Sequence, residues 1–299
     1  MDLTPYRLRI AHISDLHFSK PTCSPFQFFS KRWIGNLNLI FSRQKDFETD
    51  RLQDLPAIFK AHQVDHVVIS GDLSTTSQEK EFREGCAFVE QLKAEGLNVF
   101  VLPGNHDHYT KRAYKDQLFY RFFDCSFSLV DEPIYEFNLK KHKLAAKYLG
   151  NKWWFIALDT AVATSMISSR GNFSEELERN LQRALMCIPS DHQIILANHF
   201  PFFDHESPRK TMARSTALRD LVQQFSNIKI YLHGHTHRHC LADLRSSGLP
   251  IISDSGSTSH CMHGGWNLID FSPTGCDFQV FKWKSDWTPV SKTSFKWRP

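Results

Sequence analysis

Five short polar motifs carry the residue types that bind divalent metals in proteins. In chain order they are Asp15-x-His17, Gly71-Asp72, Gly104-Asn105-His106-Asp107, His199 and Gly234-His235-Thr236-His237. Carboxylate, imidazole and amide oxygen groups suit Mn, Fe, Zn or Mg. None of the motifs contains Cys, so a structural zinc site is not expected. Asp72 is a candidate bridge between two ions, because both oxygens of a carboxylate have lone pairs to donate.

Each motif directly follows a predicted strand. Short apolar runs bounded by polar or Gly/Pro residues predict strands at Leu8–Ser14, His66–Ser70, Asn98–Leu102, Trp153–Leu158, Gln193–Asn198, Ile228–His233, Pro250–Ser253, Trp266–Phe271 and Asp277–Trp283. Helical periodicity predicts helices at Asp50–Ala61, Gln78–Glu95, Ser174–Met186 and Thr216–Phe225. Alternation of strand and helix indicates an α/β fold. Open α/β sheets place their sites at the carboxyl ends of strands, where these motifs lie.

The ordered motif series resembles the calcineurin-like metallophosphoesterase superfamily over about residues 8 to 240. The resemblance implies a four-layer α/β/β/α sandwich that holds two divalent metal ions. It assigns one ion to Asp15, His17, Asp72 and His237, and the second to Asp72, Asn105, His199 and His235. It makes His106 the catalytic histidine beside the substrate phosphate. Asp107 is expected to orient His106 or a metal ligand.

The resemblance implies hydrolysis of phosphoric esters, with the two ions activating water for in-line attack on phosphorus. Manganese is the favoured metal, and iron, zinc and magnesium remain compatible. A phosphodiesterase-type hydrolase is the favoured function, and a cyclic-nucleotide phosphodiesterase is one alternative. Another is a UDP-2,3-diacylglucosamine pyrophosphate hydrolase of lipid A synthesis, whose common form has Gly-Asn-Arg-Asp in place of the motif at 104–107. A non-catalytic scaffold on the same fold is the third. Phosphatase, phosphodiesterase and pyrophosphatase activities all stay open.

Three polar residues near the motifs receive structural interpretations. His233 shares the run His-Gly-His-Thr-His with two predicted ligands, and the resemblance selects the last two histidines. His233 is therefore expected to be a buried hydrogen-bonding residue. Asp159 is interpreted as a loop cap at the end of a strand, and Asp254 is expected near the site.

Composition sets limits on class and location. The chain has 299 residues, 41% of them hydrophobic, and a formal net charge of +4. One domain is expected at this length, and so weak a charge gives no reason to expect specific nucleic-acid binding. Seven Cys without a CxxC pair indicate reduced thiols. No signal peptide is apparent at the N-terminus, so the cytoplasm is expected. The oligomeric state is left open.

Two segments depart from the strand–helix pattern. The insert at about 18–45 contains basic residues and, from 26 to 41, an amphipathic helical pattern whose apolar positions are Phe26, Phe29, Trp33, Leu37 and Ile40. The insert is either a cap packed on the core or a surface for a membrane or an acyl-chain substrate. The second interpretation predicts a lipid-linked substrate and peripheral contact with the inner membrane. The tail at about 282–299 is also basic and aromatic.

Overall fold

Two six-stranded sheets form the centre of the molecule. The computed structural model describes residues 7–19, 46–123, 137–164, 168–203 and 207–297. The first sheet contains β1 (Leu8–Ile13), β2 (His66–Ile69), β3 (Asn98–Val101), β10 (Gly265–Ser272), β11 (Gly275–Trp283) and β12 (Trp287–Lys296). Its order is β12-β11-β10-β1-β2-β3, with β1, β2 and β3 parallel to one another. The motif-bearing strands of this sheet are therefore neighbours that end at the same edge.

The second sheet contains β4 (Leu144–Gly150), β5 (Trp153–Leu158), β6 (Gln193–Ala197), β7 (Ile228–His233), β8 (His239–Asp243) and β9 (Ile251–Ser255). Its order is β4-β5-β6-β7-β9-β8. The run β5-β6-β7-β9 is parallel, and β4 and β8 pair antiparallel at the edges. The ends of β6 and β7 carry the remaining two motifs.

Seven α-helices flank the sheets in the described part of the chain: α1 (Leu55–Ala61), α2 (Glu79–Ala94), α3 (Lys111–Lys115), α4 (Phe119–Phe122), α5 (Leu139–His142), α6 (Glu175–Cys187) and α7 (Ser215–Gln223). Successive residues of a strand point to opposite faces of the sheet. On β5, Phe155 joins the core shared with the first sheet, whereas Ile156 joins the core beneath α6 and α7. The rings of Phe100 and Phe155 stack across the two sheets at 4.5 Å. Phe82 of α2 is buried on the far side, so the predicted four-layer α/β/β/α sandwich is confirmed.

Elements that the sequence patterns missed or merged lie mostly outside the motif strands. The predicted helix Asp50–Ala61 is divided into a 3-10 helix at Thr49–Asp54 and α1. Pro56 in the first turn explains this division, because proline lacks an N–H and favours the start of a helix. The strands β4, β8 and β12 were not predicted. In β12, Pro289 lies opposite an irregularity of β11 at Val280/Phe281, as expected for proline in an edge strand.

Most of the predicted insert lies outside the described residues. Only its first two positions, Phe18 and Ser19, are described, so the helical pattern at 26–41 and its membrane contact stay predictions. The residues grouped as a tail contain β12, whose Trp287 is buried and donates a hydrogen bond from Nε1 to the carbonyl oxygen of Arg51. Across the described ranges, no helix is both long enough and apolar enough to cross a bilayer.

Candidate metal centre

Backbone hydrogen bonds join the motif loops where the strands end. The amide of Asp15 donates to the carbonyl oxygen of Gly71 (3.0 Å), and the amide of His17 donates to that of Asp72 (3.0 Å). In the second sheet, the amide of Gly234 donates to the carbonyl oxygen of His199 (3.0 Å). These bonds join motif loops within each sheet, and the amide of His235 connects the two sheets by donating to Oδ2 of Asp15 (3.1 Å).

The first group of candidate ligands draws on both sheets. One ligand atom from each of four residues lies within 4.8 Å of the others, and these residues are Asp15, His17, Asp72 and His237. Nε2 of His237 lies 3.2 Å from Oδ1 of Asp15 and 3.2 Å from Nε2 of His17. The carboxylates and His17 are buried, and His237 is half-buried. This is the ligand set that the resemblance assigned to the first ion.

The second group surrounds Asn105. Its Oδ1 lies 2.8 Å from Nδ1 of His235 and 3.2 Å from Nε2 of His199. Nε2 of His199 lies 3.4 Å from Oδ2 of Asp72. Asp72 therefore contacts both groups, which is the position that a bridging carboxylate requires.

Backbone strain is concentrated at these residues. Five of the seven predicted ligands have positive φ, namely Asp15, His17, Asp72, His235 and His237, with values between 49° and 72°. Left-handed backbone is uncommon outside glycine and tends to occur at functional sites. The glycines of the motifs allow close approach: a Cβ on Gly104 would overlap Asp72, and one on Gly234 would overlap Ser14. No sequence pattern indicated the strain, although the glycines indicated tight turns.

Two backbone carbonyls fix the imidazole rings of the second group. Nδ1 of His199 donates to the carbonyl oxygen of Ser70 (2.8 Å), and Nε2 of His235 donates to that of Lys210 (2.8 Å). A carbonyl oxygen can only accept, so these nitrogens carry the protons. The opposite nitrogens, Nε2 of His199 and Nδ1 of His235, are the ones that face Asn105. Such contacts orient metal-binding histidines.

The electrostatics of the site favour positive charge between the carboxylates. Burial alone would lower the pKa of His199, but the carboxylates of Asp72 and Asp15 raise it to about 10. Burial likewise opposes ionisation of Asp72, yet His199 and His106 outweigh it and lower the pKa of that carboxyl. A proton or a divalent ion can supply the positive charge that this arrangement stabilises.

A buried carboxylate oxygen tests whether the site fits a metal. Among the described residues, Oδ1 of Asp15 is fully buried and accepts no well-aligned hydrogen bond, although Nε2 of His237 lies 3.2 Å away. Leaving such an atom unpaired is costly, and a cation coordinated by Asp15, His17 and His237 would satisfy it. The donors of the two groups are carboxylate, amide and imidazole, with one carboxylate, that of Asp72, in both groups, and this set fits a pair of divalent ions.

The two residues predicted to be catalytic lie in different environments. His106 borders a cavity of about 210 Å³, together with Asp72, Asn105, Ser169, Lys210, His235, Thr236 and His237. Asp107 is fully buried and accepts hydrogen bonds from the amides of Gly104 (2.9 Å) and Ser74 (2.8 Å). Burial, followed by the charge of Asp72, raises the pKa of Asp107 to about 7. Asp107 therefore connects the loops that carry Asp72 and His106, which is the geometry of a positioning residue.

The residues that the sequence analysis interpreted as structural, His233 and Asp159, both contact charged side chains. His233 is buried, and its Nδ1 lies 3.3 Å from Oδ2 of Asp254. Asp159 caps its loop by accepting from the amide of Ala161 (3.0 Å), and its other oxygen lies 2.5 Å from Nζ of Lys143.

Sequence patterns missed two residues that border the site. Phe47 packs against His17 with ring centroids 4.4 Å apart. Lys210 borders the cavity, and its carbonyl oxygen orients His235. Neither belongs to a motif, and a backbone carbonyl leaves no signal in the sequence.

Comparison with known proteins identifies the family of the chain. Residues 8–239 match the sequence model of the calcineurin-like phosphoesterase family. The chain belongs to that family, whose members depend on metals. The resemblance to calcineurin-like metallophosphoesterases that the motifs indicated is therefore confirmed at the level of the family.

Two relatives carry names that describe cyclic-nucleotide hydrolysis. The chain is 25% identical over 179 residues to the 3',5'-cyclic adenosine monophosphate phosphodiesterase CpdA of Haemophilus influenzae, which covers 59% of this chain and 56% of that protein. It is 31% identical over 100 residues to a probable cyclic nucleotide phosphodiesterase of Coxiella burnetii, covering 33% of this chain and 32% of that protein. The matches thus span about half or less of the length of these two curated relatives.

Solved structures share the fold at low sequence identity. A dimetal phosphatase from Danio rerio superposes with a TM-score of 0.64 at 11% identity, covering 97% of this chain and 99% of that one. A purple acid phosphatase from yellow lupin gives a TM-score of 0.61 at 13% identity, covering 98% of this chain and 54% of that one. These similarities concern the fold alone.

Proposed function

We propose that the chain is a phosphodiesterase that uses two divalent metal ions held by the seven Asp, His and Asn residues of the motifs. The observation that supports this most directly is the contact of Asp72 with both ligand groups. In this proposal Asp15, His17 and His237 complete the first site, and Asn105, His199 and His235 complete the second. When bound, the ions supply Lewis-acid polarisation of a phosphoryl group and acidify water.

The chain's own residues provide the proton transfer. Nδ1 of His106 donates to the carbonyl oxygen of Thr75, so in the protonated ring Nε2–H is the group that can give its proton to a departing alkoxide, leaving the ring neutral. The hydrogen bond to Thr75 fixes the ring, so little reorganisation is needed when substrate binds. Asp107 holds the loop of Asp72 against the loop of His106. Its effect on the reaction is therefore indirect, through the positions of these two residues.

Charge at the cavity suits a phosphate group. Lys210 is the one Lys or Arg among the described residues that border the cavity of Asp72 and His106. An ammonium group can pair with a phosphate oxygen that the metal sites leave exposed. The ring of Phe47, which packs against His17, provides an apolar contact surface next to the site.

A cyclic nucleotide is the proposed substrate class, because the two curated relatives bear names of that kind. The pyrophosphate hydrolase of lipid A synthesis is the second candidate and depends on the basic, aromatic pattern at 26–41. Manganese is the proposed metal.

A substrate panel tests both candidates. Chelator-stripped protein reloaded with Mn²⁺ would be assayed with cyclic AMP, p-nitrophenyl phosphate, bis-p-nitrophenyl phosphate and UDP-2,3-diacylglucosamine. The proposal expects Mn-dependent hydrolysis of the diesters, abolished in Asp72→Asn. Equal rates in wild type and Asp72→Asn would refute the mechanism. If deletion of 26–41 impaired the lipid substrate and bis-p-nitrophenyl phosphate equally, the lipid candidate would be rejected.

A further inference from the structure

A buried carboxylate lies behind the last motif and contacts it at two points. Asp254 is fully buried on β9, where its backbone pairs with that of His233 on β7. Oδ2 of Asp254 accepts a hydrogen bond of 2.6 Å from Oγ1 of Thr236 and lies 3.3 Å from Nδ1 of His233. Oδ1 accepts from the amide of Gly256 at 2.8 Å. Burying a charge in this way is costly unless each oxygen has partners, and here both have them.

The residue held by Asp254 lies between two candidate ligands. Thr236 separates His235 from His237, and both histidines have positive φ, 72° and 55°. Left-handed backbone costs free energy in residues other than glycine, so surrounding contacts must hold it in place. The Thr236 hydroxyl also accepts from the amide of Arg238 at 3.1 Å, which ties the exit of the loop to the same carboxylate. The hydrogen bond from Thr236 to Asp254 is thus the central side-chain restraint on this turn.

The entry of the loop is restrained by other groups. The amide of Gly234 donates to the carbonyl of His199, and the amide of His235 donates to Oδ2 of Asp15 at 3.1 Å. Both bonds precede Thr236, and neither fixes the backbone that leads to His237. Loss of the Asp254 contact would therefore let His237 move relative to Asp15 while the fold stayed intact.

We infer that Asp254 is a positioning residue for the metal centre: through Thr236 it sets the spacing of His235 and His237. This inference rests on the proposed function, since it concerns the geometry of two proposed ligands. It predicts that removing the contact between Asp254 and Thr236 lowers metal affinity, although neither residue is itself a proposed ligand. Partners that orient metal ligands typically change affinity about 10–100-fold when removed.

Three variants separate this role from general stabilisation. Thr236→Val keeps the shape of the side chain and removes the donor, whereas Thr236→Ser keeps the hydroxyl. Asp254→Asn keeps the size and removes the charge. Mn²⁺ binding to chelator-stripped protein would be measured by isothermal titration calorimetry, with far-UV circular dichroism to confirm folding. Thr236→Val and Asp254→Asn should each bind Mn²⁺ about 10–100-fold more weakly, and Thr236→Ser should bind within about threefold of wild type.

The outcomes distinguish this inference from the proposed function. If wild type binds Mn²⁺ and folded Thr236→Val and Asp254→Asn bind it equally well, the positioning role is wrong and the proposed function stands. If wild type binds Mn²⁺ but hydrolyses no diester, the proposed function fails, and the binding constants still decide the positioning role. Should Thr236→Val fail to fold, Asp254→Asn decides it alone. Absence of Mn²⁺ binding by wild type overturns both.

Discussion

Nδ1 of His106 lies 2.7 Å from the carbonyl oxygen of Thr75, which holds the imidazole at the border of the cavity without using it as a candidate metal ligand. A substitution of His106 can therefore show whether catalysis is lost while metal binding is kept.

The first prediction concerns His106→Ala. The variant should lower kcat for a diester by about 10²–10⁴-fold, the usual contribution of a general acid, and leave Mn²⁺ affinity near wild type. Steady-state kinetics and calorimetric titration check the two parts. His263→Ala is the matched control, because His263 is exposed and should leave kcat unchanged. A parallel loss of Mn²⁺ binding in His106→Ala would mean that His106 is itself a ligand.

The second prediction concerns metal and stability. Binding of Mn²⁺ to the folded state alone should add about 2.7 kcal/mol to the free energy of unfolding at one hundred times the dissociation constant. Tm should therefore rise on adding Mn²⁺ to chelator-treated protein. Asp72→Asn should lose that rise, and Asp220→Asn, at an exposed position, should keep it. An Asp72→Asn protein that gained as much Tm as wild type would exclude Asp72 as a shared ligand.

The third prediction concerns the ion pair of Lys143 and Asp159, whose charged atoms lie 2.5 Å apart. Asp159 is fully buried, and Lys143 together with His108 outweighs that burial to lower the pKa of the carboxyl. Lys143→Met leaves a buried charge without its counterion, so the free energy of unfolding should fall by about 3 kcal/mol. Chemical denaturation at pH 7 measures this change.

Two further variants control that measurement. Lys152→Met breaks an ion pair with Asp191 that is open to solvent on both sides, and it should change Tm little. The double variant Lys143→Met/Asp159→Asn should recover part of the lost stability, because the unpaired charge is gone. If Lys143→Met and Lys152→Met were equally stable, the buried ion pair would contribute no more to the free energy of unfolding than the exposed one.

The fourth prediction concerns pH and His66 on β2. Burial, followed by the charge of Lys147, lowers the pKa of His66 to about 4 in the folded protein, whereas an unfolded histidine titrates near 6.5. The unfolded state therefore binds the proton first as pH falls. Stability from the neutral ring is complete above about pH 6.5 and is lost as pH falls towards 4.

His66→Phe removes this titration and can keep the stacking on Phe100, whose ring lies 5.3 Å away. Between pH 7 and pH 5 the variant should lose about 2 kcal/mol less stability than wild type. Denaturation midpoints across that range check it. His12, whose pKa burial and His233 lower to about 3, keeps some pH dependence in both proteins. Parallel curves for wild type and His66→Phe would contradict the assignment.

Strands buried on both faces were the elements most open to prediction from sequence. Trp153–Leu158 and Ile228–His233 were predicted at the bounds observed for β5 and β7, because continuous apolar runs between polar residues have few alternatives. Edge strands were missed. β12 exposes most of its residues, and its Lys and Ser positions resemble those of a solvated loop.

The candidate site also has a part that could be predicted from the sequence and a part that could not. Motif order indicated which side chains meet, and the structure brings all seven predicted ligands into two groups that share Asp72. Their role as ligands stays a proposal. The carbonyls of Ser70, Thr75 and Lys210, which orient the histidines, had no signal in the sequence, since any residue supplies a carbonyl. The sequence also indicated Asp254 without its partner, because the Thr236 contact depends on the register of β7 and β9.

The stacked rings of Phe100 and Phe155 join the two sheets that supply the candidate ligands. Asp15, His17, Asp72 and Asn105 follow strands of one sheet, and His199, His235 and His237 follow strands of the other. The thickness of the apolar interior therefore sets the distance between the candidate ligands of one sheet and those of the other. Laboratory evolution of this chain towards a new metal or substrate should yield adaptive changes deep in the sandwich as well as at the rim, because a larger or smaller ring there shifts one half of the centre against the other.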